Sequence, residues 1–308
     1  MKSLIRHFKH LAWAAVVFTA ASCSQDNDDD FHFTDSTIPA GNASAATSRM
    51  EVPKLKDGNL FVAHWTRENG DSVMTYCLEY DRSKFHSRWV AFRFDAHTRD
   101  KSVSRKSYDI KPQYPADPVL KKMLSSLGSS QYIEDDASFN GYDHGHLCAS
   151  ADRLYSRQGN DNTFYMTNMS PQIGNFNSYY WVTLENQVQR LGRNEKFADT
   201  LYVVKGGTIE EGQIIKKVAN NRMAVPKYFF MALLKVKNGV YSSIAFLMEH
   251  KDYGYNRGNY APLSVMAEHA VNVDALEEKT GIDFFHNLPN IVEAPVEQQC
   301  SPSAWGIE

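Results

Sequence analysis

The sequence predicts a single α+β domain over residues 57–293, with a central antiparallel sheet and flanking helices. Short runs rich in β-branched and aromatic residues, bounded by turn residues, are typical of strands. These runs are NLFVAHW (59–65), SRWVAFRF (87–94), TFYMTNM (163–169) and LYVVKGG (201–207). Within residues 228–248, Asn238-Gly239 separates two apolar runs, which is the strongest short-range indication of a β-hairpin. Because 43% of the residues are hydrophobic, the chain can bury one sizeable core.

Two helices are also predicted. Within residues 178–193, apolar side chains recur at a spacing that puts them on one helical face. They are Trp181, Leu184, Val188 and Leu191. Residues 272–281 predict a short helix, with Asn272 as its N-cap and Gly281 just past its end.

Residues 1–22 are typical of an export signal. Lys2, Arg6 and Lys9 precede an apolar run of about a dozen residues, too short to span a bilayer. Cys23 follows small residues, which resembles a bacterial lipoprotein signal in which this cysteine becomes the lipidated first residue. The alternative is an ordinary signal peptide cut nearby. We therefore expect an exported lipoprotein anchored to the outer membrane, periplasmic or at the cell surface.

Residues 23–56 predict a flexible tether, because an acidic tract (SQDNDDD, 24–30) is followed by small polar residues that bury little apolar surface. Residues 294–308 are assigned to a C-terminal tail. After lipidation, Cys77, Cys148 and Cys300 could form at most one disulfide. The sequence has no Cys-x-x-Cys pair, so a structural zinc knuckle is not expected.

The overall charge does not indicate a strongly basic nucleic-acid binder, because the net charge is −3 and the pI is about 6.4. A local basic strip could still bind phosphate. Five basic residues lie close together before residue 107, and the alternative is a solvated basic loop. They are Arg93, Arg99, Lys101, Arg105 and Lys106.

Two polar segments carry candidate chemistry. Asp143, His144 and His146 lie near the end of a predicted strand, and residues 167–187 add amide and carboxylate groups. The latter are Asn168, Gln172, Asn175, Asn177 and Glu185. One histidine that can act as a base, combined with such oxygens, suits a hard cation such as Mg²⁺.

Helix geometry limits how this cation could be bound. Asn177 and Glu185 are eight residues apart, which is about 12 Å along a straight helix, so they cannot both ligate one ion directly. Asn177 lies where the helix begins and is the better direct ligand. Glu185 would then act through a metal-bound water. Capping of the helix is the alternative role for Asn175 and Asn177.

These motifs together resemble the DNA/RNA non-specific endonucleases, which have the ββα-metal (His–metal finger) fold. The family pattern is Asp-Arg-Gly-His, followed by Asn-x-x-Pro-Gln, Asn, Trp and Leu-Glu. Here it reads Asp143-His144-Gly145-His146, Asn168-x-x-Pro171-Gln172, Asn177, Trp181 and Leu184-Glu185, with matching spacings. The similarity extends from residues 89–94 to residues 273–289.

The resemblance implies a Mg²⁺-dependent enzyme, with Mn²⁺ as a substitute, that hydrolyses DNA and RNA to 5′-phosphorylated products. His146 would be the general base, Asn177 the direct metal ligand and Glu185 a ligand through water. Arg105 would clamp the phosphate, while Asp143, Arg93 and Gln172 are further candidates for substrate binding.

One departure from the family pattern concerns His144, which replaces the arginine. The arginine of the family carries a permanent positive charge near the phosphate, whereas histidine is charged only at lower pH. His144 could therefore partly substitute for the arginine when it is protonated. We therefore expect a weaker enzyme with a more acidic optimum than its relatives. Ala149 stands where the family usually has proline.

Two other functions are compatible with these residues. A catalytically weakened relative could bind nucleic acid or a protein at the cell surface, as the loss of the arginine suggests. A zinc enzyme could use His144, His146 and a distant third ligand. Metal-dependent cleavage and metal analysis would discriminate these alternatives, and the oligomeric state is not predicted.

Overall fold

The computed structural model describes residues 45–308. Cys23, the export signal and most of the tether lie outside the described residues. The strands are β1 Leu60–Glu68, β2 Asp71–Asp81, β3 His86–Phe94, β4 Asp143–His146, β5 Met169–Gln172, β6 Thr200–Gly207, β7 Ile214–Val218, β8 Met223–Pro226, β9 Tyr228–Lys237, β10 Val240–Glu249 and β11 Ala270–Val271. The α-helices are α1 Pro118–Ser126, α2 Arg157–Asn162, α3 Val182–Gly192, α4 Val273–Thr280 and α5 Asn290–Glu297.

A seven-stranded sheet in the order β1-β2-β3-β6-β9-β10-β11 forms the centre of the molecule. All of its strand pairs are antiparallel, as predicted. The β9–β10 hairpin turns at Asn238 and Gly239, whose φ angles are 50° and 75°. Both residues tolerate positive φ, which a two-residue hairpin loop of this kind requires. β4–β5 and β7–β8 form two separate ribbons.

Apolar side chains cover both faces of the central sheet. One face packs against α1, α3 and the segment before α3, through residues such as Phe92, Trp181 and Leu184. The opposite face packs against α4 and α5, through residues such as Trp89 and Leu276. Because the sheet is buried on both sides, its strands read as continuous apolar runs. Within residues 45–308, no helix is long and apolar enough to cross a membrane.

Three of the predicted strands are confirmed, but the one over 163–169 is wrong. Residues Met166–Asn168 form a 3₁₀ turn, and β5 begins only at Met169. The helix predicted over 178–193 is confirmed as α3, preceded by a π-helical turn over Phe176–Trp181. α4 is confirmed with its cap, because Asn272 Oδ1 accepts the backbone N–H of Ala275 and Gly281 has a φ of 63°.

The packed unit is larger than the predicted range 57–293. Val52 and Glu51, assigned to the tether, are buried. Trp305, assigned to the tail, packs in the core, and α5 crosses the predicted boundary at residue 293. Among the described cysteines all three are free, so no disulfide forms in this part of the chain.

Candidate active site

The β4–β5 ribbon carries both histidines of the first motif. Asp143 pairs with Gln172, and His146 pairs with Met169. At Gly145, an added Cβ would lie 2.1 Å from Gln172 Oε1. Only glycine therefore leaves room for the glutamine side chain across the ribbon.

Two buried histidines outside the motifs hold this region in place. His86 Nε2 accepts the Ser170 hydroxyl at 2.8 Å, which ties β5 to β3. His250 Nδ1 donates to the Pro226 carbonyl, and its Nε2 accepts the Ile173 backbone N–H at 2.7 Å. Burial lowers the pKa of both rings to about 4, so both are neutral and structural near pH 7.

The side chains that act electrostatically on His146 are all basic. Its ring meets the edge of Phe164 at a centroid distance of 5.1 Å. Burial lowers the pKa of His146 to about 3, and the positive charges of Arg105 and Lys205 and the neighbouring His144 act in the same direction. Nε2 is buried and has no hydrogen-bond partner within residues 45–308. The ring is therefore neutral and has an unused nitrogen.

Arg105 lies beside the same aromatic wall. Its guanidinium is 3.9 Å from the ring centroid of Tyr108 and 4.8 Å from that of Phe164. It donates one hydrogen bond, from Nη1 to the Lys106 carbonyl at 3.1 Å. Within the described part of the chain, no carboxylate pairs with it. The two rings hold this charge in position while leaving it available to an anion.

His144 is packed as an aromatic ring. It stacks between Tyr114, 4.2 Å away with an interplanar angle of 5°, and Phe139, 4.1 Å away. Its Nε2 donates to the Ala137 carbonyl at 3.0 Å. Burial lowers the pKa of His144 below its usual value. This shift works against the prediction that a protonated His144 replaces the missing arginine near neutral pH.

Asn177 lies on the π-helical turn before α3. Its backbone N–H donates to the Ile173 carbonyl at 2.8 Å, and its Nδ2 donates to Asp143 Oδ2 at 3.0 Å. Its Oδ1 accepts no hydrogen bond from the described residues. Asn175 instead donates to Asp252, so neither asparagine caps the helix with its side chain. The contact with Asp143 orients Asn177 so that its oxygen is free.

Glu185 belongs to a buried charge cluster. Lys205 on β6 contacts Glu185 Oε1 at 2.9 Å and Asp152 Oδ2 at 3.3 Å. Burial alone would lower the pKa of Lys205, but the two carboxylates outweigh it and raise the pKa. The ammonium therefore stays charged and fixes Glu185 on the side of the sheet that carries His146.

The structure does not bring all the predicted site residues together. Phe92 and Phe94 point to the sheet face that packs against α3. Arg93 lies between them on β3, so its side chain points to the other face, where it pairs with Asp95 at 2.7 Å. This placement separates Arg93 from His146 and contradicts its assignment to substrate binding. Gln172 does lie in the ribbon, and both its side-chain polar atoms are buried without a partner in the described chain.

The sequence comparison decides the family. The model of the DNA/RNA non-specific endonucleases matches residues 58–291, which is most of the chain. The chain belongs to the DNA/RNA non-specific endonuclease family. This membership confirms the predicted family and the prediction of a nuclease enzyme.

Individual relatives agree with the family. Nuclease 1, mitochondrial, of Schizosaccharomyces pombe is 31% identical over 186 residues, which cover 57% of this chain and 53% of that protein. The chain thus spans about half the length of that relative. A nuclease of Nostoc sp. is 27% identical, with 84% of each chain covered. A chain in the crystal structure of the EndoG/EndoGI complex matches with a TM-score of 0.56 and 23% identity, covering 75% of this chain and 89% of that chain. This match confirms the fold.

The site around His146 offers a small set of oxygen donors of the type that a hard divalent cation prefers. The free Oδ1 of Asn177 offers one neutral oxygen. The Glu185 carboxylate follows in the first turn of α3, directly after the π-helical turn that carries Asn177. The orphaned polar atoms of His146 and Gln172 show that the protein alone does not complete the site. A cation that keeps most of its waters fits this sparse set of ligands.

A zinc site built on the two histidines does not fit. Across residues 45–308, the one group of three acidic, histidine or cysteine ligands that could hold a metal contains neither His144 nor His146. The Nε2 atom of His144 is already bonded to a backbone carbonyl.

Several residues that shape the site lie outside the two sequence motifs. Lys205, Asp152 and His250 position motif residues, while Phe164 lies between Arg105 and His146. A lysine inside an apolar strand was a usable signal for Lys205, because lysine is almost never fully buried unless it is paired.

Proposed function

We propose that this protein is a Mg²⁺-dependent endonuclease, also active with Mn²⁺, that hydrolyses phosphodiester bonds of DNA and RNA to 5′-phosphorylated products. The observation that carries the proposal is the neutral, partnerless His146 beside the available charge of Arg105. Family membership supports action on nucleic acid.

The residues of the chain have distinct roles in this reaction. Arg105 binds the non-bridging phosphate oxygens and is held in place by Tyr108 and Phe164. His146 takes a proton from a water molecule whose oxygen attacks phosphorus. The bond from phosphorus to the 3′ oxygen breaks, the 3′ oxygen takes a proton from solvent, and the phosphate stays on the 5′ end of the next nucleotide.

The electrostatics of the site make His146 suitable as the base. Without substrate, burial lowers the pKa of His146 to about 3, and the charges of Arg105 and Lys205 act in the same direction. A bound phosphate is an anion and counteracts those positive charges, which raises the pKa toward the range where a general base is effective.

Asn177 would hold the cation directly, and Glu185 would act through a water molecule. The bound cation would supply positive charge to the phosphate and to the departing 3′ oxygen. Asp143 positions the Asn177 amide, and Lys205 positions Glu185.

We also propose that the protein is exported and anchored to the outer membrane through a lipid on Cys23. The charged start, the short apolar run and the small residues before Cys23 support this proposal. Labelling with radioactive palmitate, abolished by Cys23→Ser, would test it. An unlabelled parent protein would contradict it.

The nuclease proposal is tested by digesting plasmid DNA and an RNA transcript with Mg²⁺, with Mn²⁺ and with EDTA. We expect cleavage of both substrates with either metal and none with EDTA. His146→Ala should lower the rate by about 10²–10⁴-fold, the usual contribution of a general base. His97→Ala, which removes an exposed histidine, is the matched control. An unchanged rate in His146→Ala would contradict the assigned base, and binding without cleavage by the parent would favour the binding-module alternative.

A further inference from the structure

A second cluster of carboxylates lies far from the nuclease motifs. Asp274 and Glu277 are three residues apart on α4 and therefore share a helical face, and Glu297 ends α5. One oxygen from each of the three lies within 4.8 Å of the others. Within residues 45–308, no lysine, arginine or histidine forms an ion pair with any of them.

Glu297 is the member of the cluster that most needs a partner. Its side chain is buried, with only 5% of the residue exposed, and its Oε1 has no hydrogen-bond partner in the described chain. Glu277 Oε1 accepts the backbone N–H of Phe284 at 2.7 Å. A buried carboxylate without a partner is costly, so the arrangement calls for a positive charge.

The surroundings of the cluster add negative charge. Burial raises the pKa of Glu277 to about 7 and that of Glu297 to about 8, and the nearby Asp283 and Glu293 act in the same direction. Lys54 lies 3.6 Å from Asp283, where both side chains are exposed, and does not reach the cluster. The three carboxylates thus compete for a proton or a cation.

We propose that Asp274, Glu277 and Glu297 bind a divalent cation, with Ca²⁺ preferred. Carboxylate oxygens are hard ligands, and Ca²⁺ binds them at about 2.3–2.6 Å. Two ligands on opposite sides of such an ion are about 4.8 Å apart, a limit that the three oxygens already meet. Mg²⁺ gives up its waters reluctantly and is seldom held by protein ligands alone, which favours Ca²⁺ at a site made of three carboxylates.

The proposed site joins two helices that adjoin the same strand. α4 and α5 both contact β10, on the sheet face opposite His146 and Asn177. A cation between them would stabilise the C-terminal part of the fold without touching the nuclease site. It is therefore a site for stability and is independent of the proposed catalytic metal.

The test is thermal unfolding of EDTA-washed protein at pH 8 with increasing Ca²⁺, supported by titration calorimetry. A Ca²⁺ concentration 100 times the Kd should raise the Tm by about 5 °C or more. The same rise should occur in Asn177→Ala, which lacks the proposed catalytic ligand. The rise in Tm should be lost in Glu297→Gln and in Asp274→Asn. Asp274 is half exposed, so its replacement by asparagine should leave the fold intact. Glu278→Gln, an exposed change on the same helix, is the control and should keep the rise.

Three results would overturn the proposal. The Tm of the parent could be unaffected by Ca²⁺ at any pH. It could also rise on lowering the pH but not on adding Ca²⁺, which would show that the carboxylates share a proton and bind no cation. The rise could also disappear in Asn177→Ala and survive in Glu297→Gln, which would assign Ca²⁺ binding to the nuclease site.

Discussion

The two faces of the central sheet both bury carboxylates, but they balance the charge differently. On the nuclease face, Glu185 and Asp152 share the ammonium of Lys205, which the protein itself supplies. On the opposite face, Asp274, Glu277 and Glu297 share no such cation in the described chain.

In the first cluster the balancing positive charge is a fixed part of the protein, whereas in the second it must be exchanged with solution. The fully buried Lys205 holds Glu185 in one place at any pH near neutrality, because its two carboxylates keep its pKa raised. The opposite cluster must take its positive charge from solution, as protons or as a metal ion. The Lys205 cluster should therefore depend less on pH near neutrality than the α4–α5 cluster.

The largest expected effect is on the fixed cluster. Lys205→Met removes the ammonium and leaves two buried carboxylates unpaired, which should lower the free energy of unfolding by about 3–5 kcal/mol. Urea unfolding at pH 7 would measure it. Lys196→Met, on the surface, should change stability by less than about 0.5 kcal/mol. An equally small effect of Lys205→Met would show that solvent or a proton already balances these carboxylates.

A smaller effect is expected on the exchangeable cluster. Glu277 and Glu297 have folded-state pKa values of about 7 and 8, above the ordinary value of 4.5. The folded state thus binds more protons than the unfolded state. The stability that these protons contribute is full below pH 4.5 and is lost as the pH rises through 7 to 8.

The variant Glu297→Gln should flatten this dependence. Between pH 5 and pH 8 without Ca²⁺, we expect the parent to lose on the order of 1–2 kcal/mol more stability than Glu297→Gln, because only the parent has the titrating Glu297 carboxyl, and solvent screens part of its interaction with the half-exposed Glu277. Urea unfolding at several pH values would measure the slopes, with Glu278→Gln as the control. Equal slopes in the parent and in Glu297→Gln would mean that the cluster does not titrate in this range.

The nuclease motifs could be predicted from sequence because their chemistry is local. His146 lies on a short strand, Asn177 lies at the start of a helix, and the spacing between the motifs is itself informative. Lys205 and Phe164 join the site only through the packing of the sheet. No local pattern specifies that Lys205 lies between Glu185 and Asp152, because these residues come from three different elements.

The failed predictions have similar physical causes. Residues 163–169 have strand-like composition, but side-chain contacts of Asn168 favour a turn: its Nδ2 donates to the carbonyls of Thr163 and Cys148. Arg93 lies in a basic segment, yet strand alternation turns it to the wrong face of β3. In both cases the tertiary structure overrode composition.

The smallest expected effect concerns His144, where the predicted role and the structure differ most. His144→Phe keeps a ring between Tyr114 and Phe139 but removes the group that titrates. Because burial lowers the pKa of His144, the ring is neutral near pH 7 and its charge contributes little there. We expect the rate of plasmid cleavage to change by less than about three-fold at both pH 6 and pH 8, a difference of under about 0.7 kcal/mol in activation free energy. A selective loss of activity at pH 6 would instead show that the imidazolium acts on the phosphate, and His144→Arg should then exceed the parent at pH 8.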